Sequence, residues 1–279
     1  MDADIDRLRG WIGRQEEKSE QATPALVDRF NATFDLPGGA RNGQVAPLLI
    51  HLCLAQPTAP TAELGEDGHP ARGGFLPPVP LPRRMWAGGS FRFLADIRVG
   101  ETVTRRSTIG DVTFKQGRTG ALCFVTVDHR IEADGREVVQ ERQDIVYREA
   151  DKPGEAKKLP EPAPDGAYRA VVVPSRPFLF RYSALTFNGH RIHYDRPYAR
   201  EVESYPGLMV HGPLQATLLM QFAARLRRTR PARFDFRSLS PLFDDTDFAL
   251  NAQDEADGGL KLWTARAGGP VAMEARATW

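Results

Sequence analysis

Cysteine is rare in this chain, lysine is scarce beside arginine, and no long apolar run occurs anywhere. Each shortage removes a class of protein. The two cysteines, Cys53 and Cys123, sit inside the apolar runs "LLIHLCLA" and "ALCFVTV". Without a CxxC spacing they offer neither a zinc ribbon nor a redox pair, and they are expected to be core thiols. No stretch approaches the ~20 apolar residues of a membrane span. The start, "MDADIDRLRGWIGRQEE", is charged throughout and has no signal-like apolar core, so a cytoplasmic location without a membrane partner is expected. Net charge is also lacking. With 37 basic against 36 acidic side chains, the balance of +1 gives no field to gather nucleic acid. The arginine excess fits GC-rich coding as well as anion recognition, and the blander reading is preferred.

What the chain does have is 279 residues, 41% of them apolar, enough for one large domain or two moderate ones. The segment 149–168, "EADKPGEAKKLPEPAPDGAY", has no apolar periodicity and reads as a linker. It separates an N-terminal lobe, 1–148, from a C-terminal lobe, 169–279. In the first lobe "TPALVDRFNATFDL" spaces Leu26, Phe30 and Phe34 as a helix, started by Thr23-Pro24. "VAPLLIHLCLA" fits helix or buried strand. A proline-rich stretch follows, and then four β-like runs: "GGSFRFLADI", "ETVTRRSTIGDVTFK", "ALCFVTVDHRIEAD" and "REVVQERQDIVYRE". In the second lobe "RAVVVPSRPFLFRYSAL" is β-like. "GPLQATLLMQFAARLRR" is the best helix, with Leu214, Leu218, Leu219, Phe222 and Leu226 on one face. Four further β-like runs close the chain. A long helix with antiparallel strands, occurring twice, predicts an α+β architecture in which each sheet wraps a helix.

Between the β-like run and the long helix lies "RYSALTFNGHRIHYDRPYA", and three of the six histidines (His190, His193, His211) fall within 22 residues. The order Tyr182-Ser183, then Asn188-Gly189-x-x-Ile192-His193-x-Asp195, then Pro206-Gly207-x-x-x-His211-Gly212, resembles the signature of (R)-specific enoyl-CoA hydratases. These MaoC-like proteins include a two-lobed branch, hydroxyacyl-thioester dehydratase type 2 and mesaconyl-C4-CoA hydratase, which is similar over nearly the whole chain. The resemblance implies a double hotdog fold, an acyl-CoA thioester substrate and hydration chemistry. It places His193 at the family's histidine, Asn188 at the family's aspartate and Gly212 at the oxyanion-hole glycine. Asn188 in place of a carboxylate, and His190-Arg191 in place of Asn-Pro, depart from the wider pattern.

Hydration of an unsaturated thioester needs a base for water, a donor for the enolate-like oxygen and an acid for the α-carbon. His193 suits the proton transfers because an imidazole titrates near working pH. Asn188 cannot take a proton and is assigned to orient the water. Asp195 either orients His193 or serves as a cap or salt-bridge partner. Gly212 opens a helix, where unpaired N–H groups suit an oxyanion and the missing side chain allows close approach. Tyr182 and His211 are assigned to the substrate wall with Arg191. His190 and His193 as metal ligands lack a recognisable third partner, so no metal is expected. No cofactor is expected beyond the coenzyme A of the substrate.

A branched dicarboxylic acyl group such as itaconyl or mesaconyl needs a cation at its free carboxylate, for which Arg83, Arg84 and Arg191 are candidates. Linear 3-hydroxyacyl-thioester dehydration and non-catalytic acyl-CoA binding are the alternatives, and a thioesterase is disfavoured by Asn188. The first lobe, without a histidine motif, is expected to shape and close the acyl cavity. A double hotdog contains its own pseudo-dimer, so a homodimer is allowed and not required.

Overall fold

The computed structural model describes residues 5–117, 120–149 and 161–279. After a short helix α1 (Ile5–Arg9) and strand β1 (Gln15–Gln21), helix α2 (Pro24–Thr33) starts as the sequence predicts. Thr23 caps it by accepting from the Leu26 amide at 3.2 Å, and Pro24 loses no hydrogen bond in the first turn. The buried face carries Val27 and Phe30. "VAPLLIHLCLA" becomes neither long helix nor strand but a single buried 3₁₀ turn at Ile50–Cys53. Among the described residues, the N-terminal half has no helix as long as Gly212–Arg227 of the C-terminal half.

Four long strands follow: β2 (Arg83–Phe93), β3 (Thr102–Gly117), β4 (Gly120–Ala133) and β5 (Arg136–Arg148). Alternation along β4 buries Cys123, Val125, Val127, His129, Ile131 and Ala133, the inward face of a half-solvated sheet. Past the undescribed residues come β6 (Tyr168–Val172), helix α3 (Arg176–Leu185), helix α4 (Gly212–Arg227), and then β7 (Arg233–Ser238), β8 (Phe248–Asp254), β9 (Leu260–Arg266) and β10 (Met273–Thr278). The strand expected to end in Tyr182-Ser183 stops at Val172 instead. Ser175 accepts from the Phe178 amide at 3.3 Å and Pro177 sits in the first turn, so a capped helix replaces it. The residues "FLFRY" look extended by composition, but the cap decides.

All strands join one antiparallel sheet in the order β1-β3-β4-β5-β2-β7-β10-β9-β8-β6. The halves meet where β2 pairs with β7, from Gly88 opposite Arg237 to Arg92 opposite Arg233. Here β2 is squeezed between two neighbours. A Cβ on Gly89 would lie 2.1 Å from the Arg142 carbonyl oxygen, and one on Gly88 2.7 Å from that of Phe236. The Gly-Gly pair is thus a condition of the seam, and Phe91, Phe234 and Phe236 pack behind it. Helix α4 crosses β7, β8, β9 and β10. It buries Leu214, Ala216, Leu219, Met220, Phe222 and Ala223, each large side chain contributing ~1.5–3 kcal/mol. The central part of the expected linker, 150–160, lies outside the described residues. Its end is tied to the C-terminal half, with the Ala163 amide donating to Gly269 and the Gly166 amide to Asn251.

Candidate active site

Helix α3 ends at Leu185, and Phe187 takes a left-handed φ of 48° that turns the chain sharply. The Asn188 amide returns to the Ser183 carbonyl, while its side-chain oxygen accepts from the His190 amide at 3.0 Å. Asn188 therefore folds the loop that carries the histidines, and its NH₂ group remains for water. The 3₁₀ turn Arg191–His193 follows. Asp195 does not reach His193. Its carboxylate pairs with Arg191 at 2.7 Å and accepts from the Tyr198 amide at 3.2 Å, both of the bland roles open to it.

His193 is held instead by the Met209 carbonyl, 2.8 Å from Nδ1. A carbonyl can only accept, so Nδ1 carries the hydrogen and Nε2 keeps its lone pair. Burial lowers its pKa to about 4, against the small opposing effect of the Met209 contact. The ring is a neutral base at ordinary pH. His211 stacks on it with centroids 3.6 Å apart and exchanges a 2.8 Å hydrogen bond with Ser183. His211 is 1% exposed and absent from the cavity lining, so it backs His193 and does not face a ligand.

On the other side, the His190 ring is 5.3 Å from His193, and the His69 ring is 4.1 Å from His190. Four of the six histidines form one row. His69 comes from the proline-rich stretch of the first half, where the sequence marked only Arg83 and Arg84 as candidates. It is brought across by backbone contacts: the Arg191 amide donates to the Asp67 carbonyl at 2.9 Å, and Arg191 Nη1 to Glu66 at 3.1 Å. The Asp67-Gly68-His69 turn crosses Gly189 so closely that a Cβ on Gly68 would meet the Gly189 carbonyl oxygen at 1.9 Å. Asp67 accepts from His69 Nδ1 at 3.0 Å and from the His69 amide at 3.0 Å. Burial alone would raise the Asp67 pKa, but His69 and His190 hold it well below the usual carboxylate range. Burial lowers His69, aided by Arg84 and Arg72; it lowers His190 as well, where His69 and His193 add to the effect. One donor atom each from Asp67, His69 and His190 falls within 4.8 Å of the others, so among the described residues these three could hold a metal ion. The third partner that sequence spacing lacked comes from the distant loop.

The row faces a cavity of about 2180 Å³ lined by both halves, including Asn188, His190, His193, Gly212, Arg84 and Trp86. That exceeds the ~1,000 Å³ upper range of ordinary small-ligand pockets and suits a long, extended ligand. Helix α4 begins at Gly212 on this wall with no side-chain cap from His211, leaving its first amides for a ligand oxygen. Tyr182 also reaches the lining, its ring edge-on to His211 at 5.0 Å. The three arginines separate. Arg83 is committed to Glu203 and Tyr205, and Arg191 to Asp195 and the face of Tyr198. Among the described residues Arg84 has no carboxylate partner, and it lies near enough to His69 and His190 to disfavour their charging. A second buried polar group lines the N-terminal side. Glu141 sits 3.5 Å from His51 and accepts from Gln143 at 2.7 Å, with His129 opposite it on β4. Burial works against its charge, yet His51 and His129 hold it ionised, at about 2.

This arrangement has close relatives. The model of hydroxyacyl-thioester dehydratase type 2 matches residues 49–244. Mesaconyl-C4-CoA hydratase of Chloroflexus aurantiacus is 47% identical over 250 residues, covering 88% of this chain and 89% of that protein. A MaoC-like dehydratase from Phytophthora capsici superposes with a TM-score of 0.71 over 99% of both chains at 13% identity. A double-hotdog protein of Mycobacterium tuberculosis gives 0.56 over 98% of this chain and 96% of its own at 16% identity. The fold is the α+β double hotdog, and the chain belongs to the hydroxyacyl-thioester dehydratase type 2 family.

Proposed function

We propose that this family member is a hydro-lyase that adds water reversibly across the double bond of an enoyl-CoA. Its substrate is a short branched dicarboxylic acyl-CoA such as itaconyl-CoA or mesaconyl-C4-CoA, giving citramalyl-CoA. The observation that carries the reading is the placement, on one cavity wall, of a neutral imidazole with its lone pair fixed and a helix start with unpaired amides. His193 Nε2 takes a proton from water as the water oxygen bonds to Cβ. In mesaconyl-C4-CoA, whose double bond is conjugated with the thioester, its electrons move onto the thioester oxygen, where the Gly212 amide and the helix dipole stabilise the enolate. One such donor is worth ~3 kcal/mol of barrier. Asn188 donates its NH₂ to the water, and the proton is returned to Cα.

The dicarboxylic preference rests on Arg84, a cation in the cavity without a carboxylate partner among the described residues. Coenzyme A arrives as part of the substrate, and a cytoplasmic site of action fits that supply. The second reading, dehydration of linear 3-hydroxyacyl thioesters, is favoured by the family match and by the size of the cavity. A panel of itaconyl-, mesaconyl-C1-, mesaconyl-C4-, crotonyl- and longer linear enoyl-CoA decides between them. Loss of enoyl-thioester absorbance and product masses are followed. Preference for a dicarboxylic member supports the proposal, and preference for linear chains transfers it to the second reading.

A further inference from the structure

The N-terminal side of the cavity ends in polar groups and not in apolar surface. One rung of inward-facing residues crosses four strands: Ser107 on β3 pairs with His129 on β4, His129 with Glu141 on β5, and Glu141 with Phe91 on β2. The rung turns aromatic as it nears the seam, where Phe91 meets Phe234. His51, from the buried 3₁₀ turn, covers the polar end, 3.5 Å from Glu141 and edge-on to Phe91 at 5.6 Å. His51, His129, Glu141 and Arg105 all line the cavity, and the first three are at most 6% exposed, so they form its inner end. The C-terminal half holds a different pair at the matching place. The Ala46 amide donates to the Ile97 carbonyl and the Val210 amide to the Leu242 carbonyl, and His51 follows the first by the same five residues as Gln215 follows the second. Gln215 lies on α4 and accepts from the Thr264 hydroxyl at 2.7 Å, a neutral and satisfied pair. The N-terminal cluster is neither. Glu141 is ionised against the effect of burial, and His51 Nε2, His129 Nε2 and Arg105 Nε have no hydrogen-bond partner among the described residues.

We propose that Glu141, His51, His129 and Arg105 form a specificity filter at the inner end of the acyl cavity, which keeps that end hydrated and rejects linear apolar chains long enough to reach it. The inference rests on the hydratase reading above and deepens it: the substrate class is an acyl thioester that is short or polar at its far end, whatever the cavity's volume. The path from the reacting thioester to the cluster runs along aromatic rings. A Cβ on Gly212 would lie 3.3 Å from the Trp86 ring, Trp86 is 6.5 Å from Phe91, and Phe91 touches His51. Glu141 also lies near enough to Tyr182, beside His211, to disfavour ionisation of its hydroxyl. Buried polar groups with room beside them are solvated by water. A tail that stops short of the rung leaves that water in place. A longer apolar tail displaces it and offers no hydrogen bond in return, so the charged and polar atoms are left unpaired. Sites built from such groups discriminate strongly against ligands that cannot satisfy them. In a purely apolar tunnel each added CH₂ would instead tighten binding about fourfold.

The test titrates butyryl-, hexanoyl-, octanoyl- and decanoyl-CoA, saturated thioesters that bind without reacting, into the full wild-type chain by calorimetry. The filter predicts that affinity stops rising within this series, with decanoyl-CoA bound no more tightly than hexanoyl-CoA. A steady gain through decanoyl-CoA overturns it. His51→Leu combined with Glu141→Met removes both members of the contact, since a single replacement would strand the other, and its melting curve is compared with wild type. Decanoyl-CoA should bind this variant about 10-fold or more tightly than it binds wild type. The ratio of kcat/KM for 2-decenoyl-CoA over crotonyl-CoA should rise by a similar factor. His51→Gln combined with Glu141→Gln keeps the end polar and should raise that ratio far less. Equal losses on both substrates, with the ratio unchanged, would make the cluster structural and also overturn the filter. If the Leu/Met variant does not fold, the wild-type series decides alone. Wild type that binds the saturated series but hydrates no panel member removes the hydratase reading, and the filter is still decided by binding. Wild type that binds none of the series removes both.

Discussion

At His193 a single carbonyl decides which nitrogen reacts, because Met209 occupies Nδ1 and leaves Nε2 to the cavity. Replacing the ring with alanine should lower hydration by about 10²–10⁴-fold while acyl-CoA binding persists, measured by turnover beside calorimetric titration. A second consequence concerns pH. The folded state lowers the His193 pKa from 6.5 to about 4, so between these values the unfolded chain binds more protons. Stability due to this ring is therefore complete above pH ~6.5 and is lost as pH falls toward ~4, an effect of about 3 kcal/mol. His69, His190 and His211 shift in the same direction and add to the slope. Urea melts at pH 7 and 4.5 should show the loss, and His193→Gln should shrink it. The residue scale is also where sequence reading worked best and failed most instructively. His193, Asn188 and Gly212 were legible because their signature is local, within 25 positions. His69 and Asp67 were not, because their neighbours in space lie in the other half of the chain and only "DGH" within a turn-rich stretch marks them.

Among the elements, the strands β2 to β5 and β7 to β10 declared themselves, by alternation where one face meets the core, as in β4, β7 and β10, and by short, nearly continuous buried runs in β8 and β9. Helix α3 did not, since its apolar residues surround the axis and its start depends on one hydroxyl. That dependence can be tested. Ser175→Ala removes the acceptor for the Phe178 amide and should cost about 1 kcal/mol in urea unfolding. The same helix carries Ser183, whose hydroxyl holds His211 against His193. A measurable fall in kcat without a matching rise in KM is therefore expected to accompany the stability loss. In α4 the contrast is instructive: its C-terminal end turns at Arg228 in the left-handed region, while its N-terminus is left without a side-chain cap. A core helix that forgoes a cap at the wall of a cavity has its first amides available for a ligand. Leu219, fully buried on its inner face, measures the rest of the helix. Leu219→Ala should lose about 2–5 kcal/mol by melt, without selective damage to the reaction.

For the molecule as a whole, the β2–β7 seam sets the two halves in one sheet, and both halves line one cavity. The C-terminal half brings His193, Asn188 and the start of α4. The N-terminal half brings Asp67 and His69 beside the Arg84 that the sequence already marked, so it does more than shape and close the cavity. Repetition of an α+β pattern was visible in the sequence, but pairing between distant strands and loops has no local trace, and this is why the crossing of the Asp67–His69 turn onto the histidine segment was not. The division predicts that specificity and chemistry can be separated by mutation. Arg84 stands on β2 opposite Tyr147, in the half that carries no signature motif. If it holds the free carboxylate of the acyl group, Arg84→Met removes a charge-assisted contact worth ~1.5–3 kcal/mol. KM for itaconyl- or mesaconyl-C4-CoA should then rise about 10- to 150-fold, whereas crotonyl-CoA, which has no second carboxylate, should be turned over with KM little changed. An equal loss on both substrates would instead place Arg84 in the electrostatics of the histidine row, where it already disfavours charging of His69 and His190.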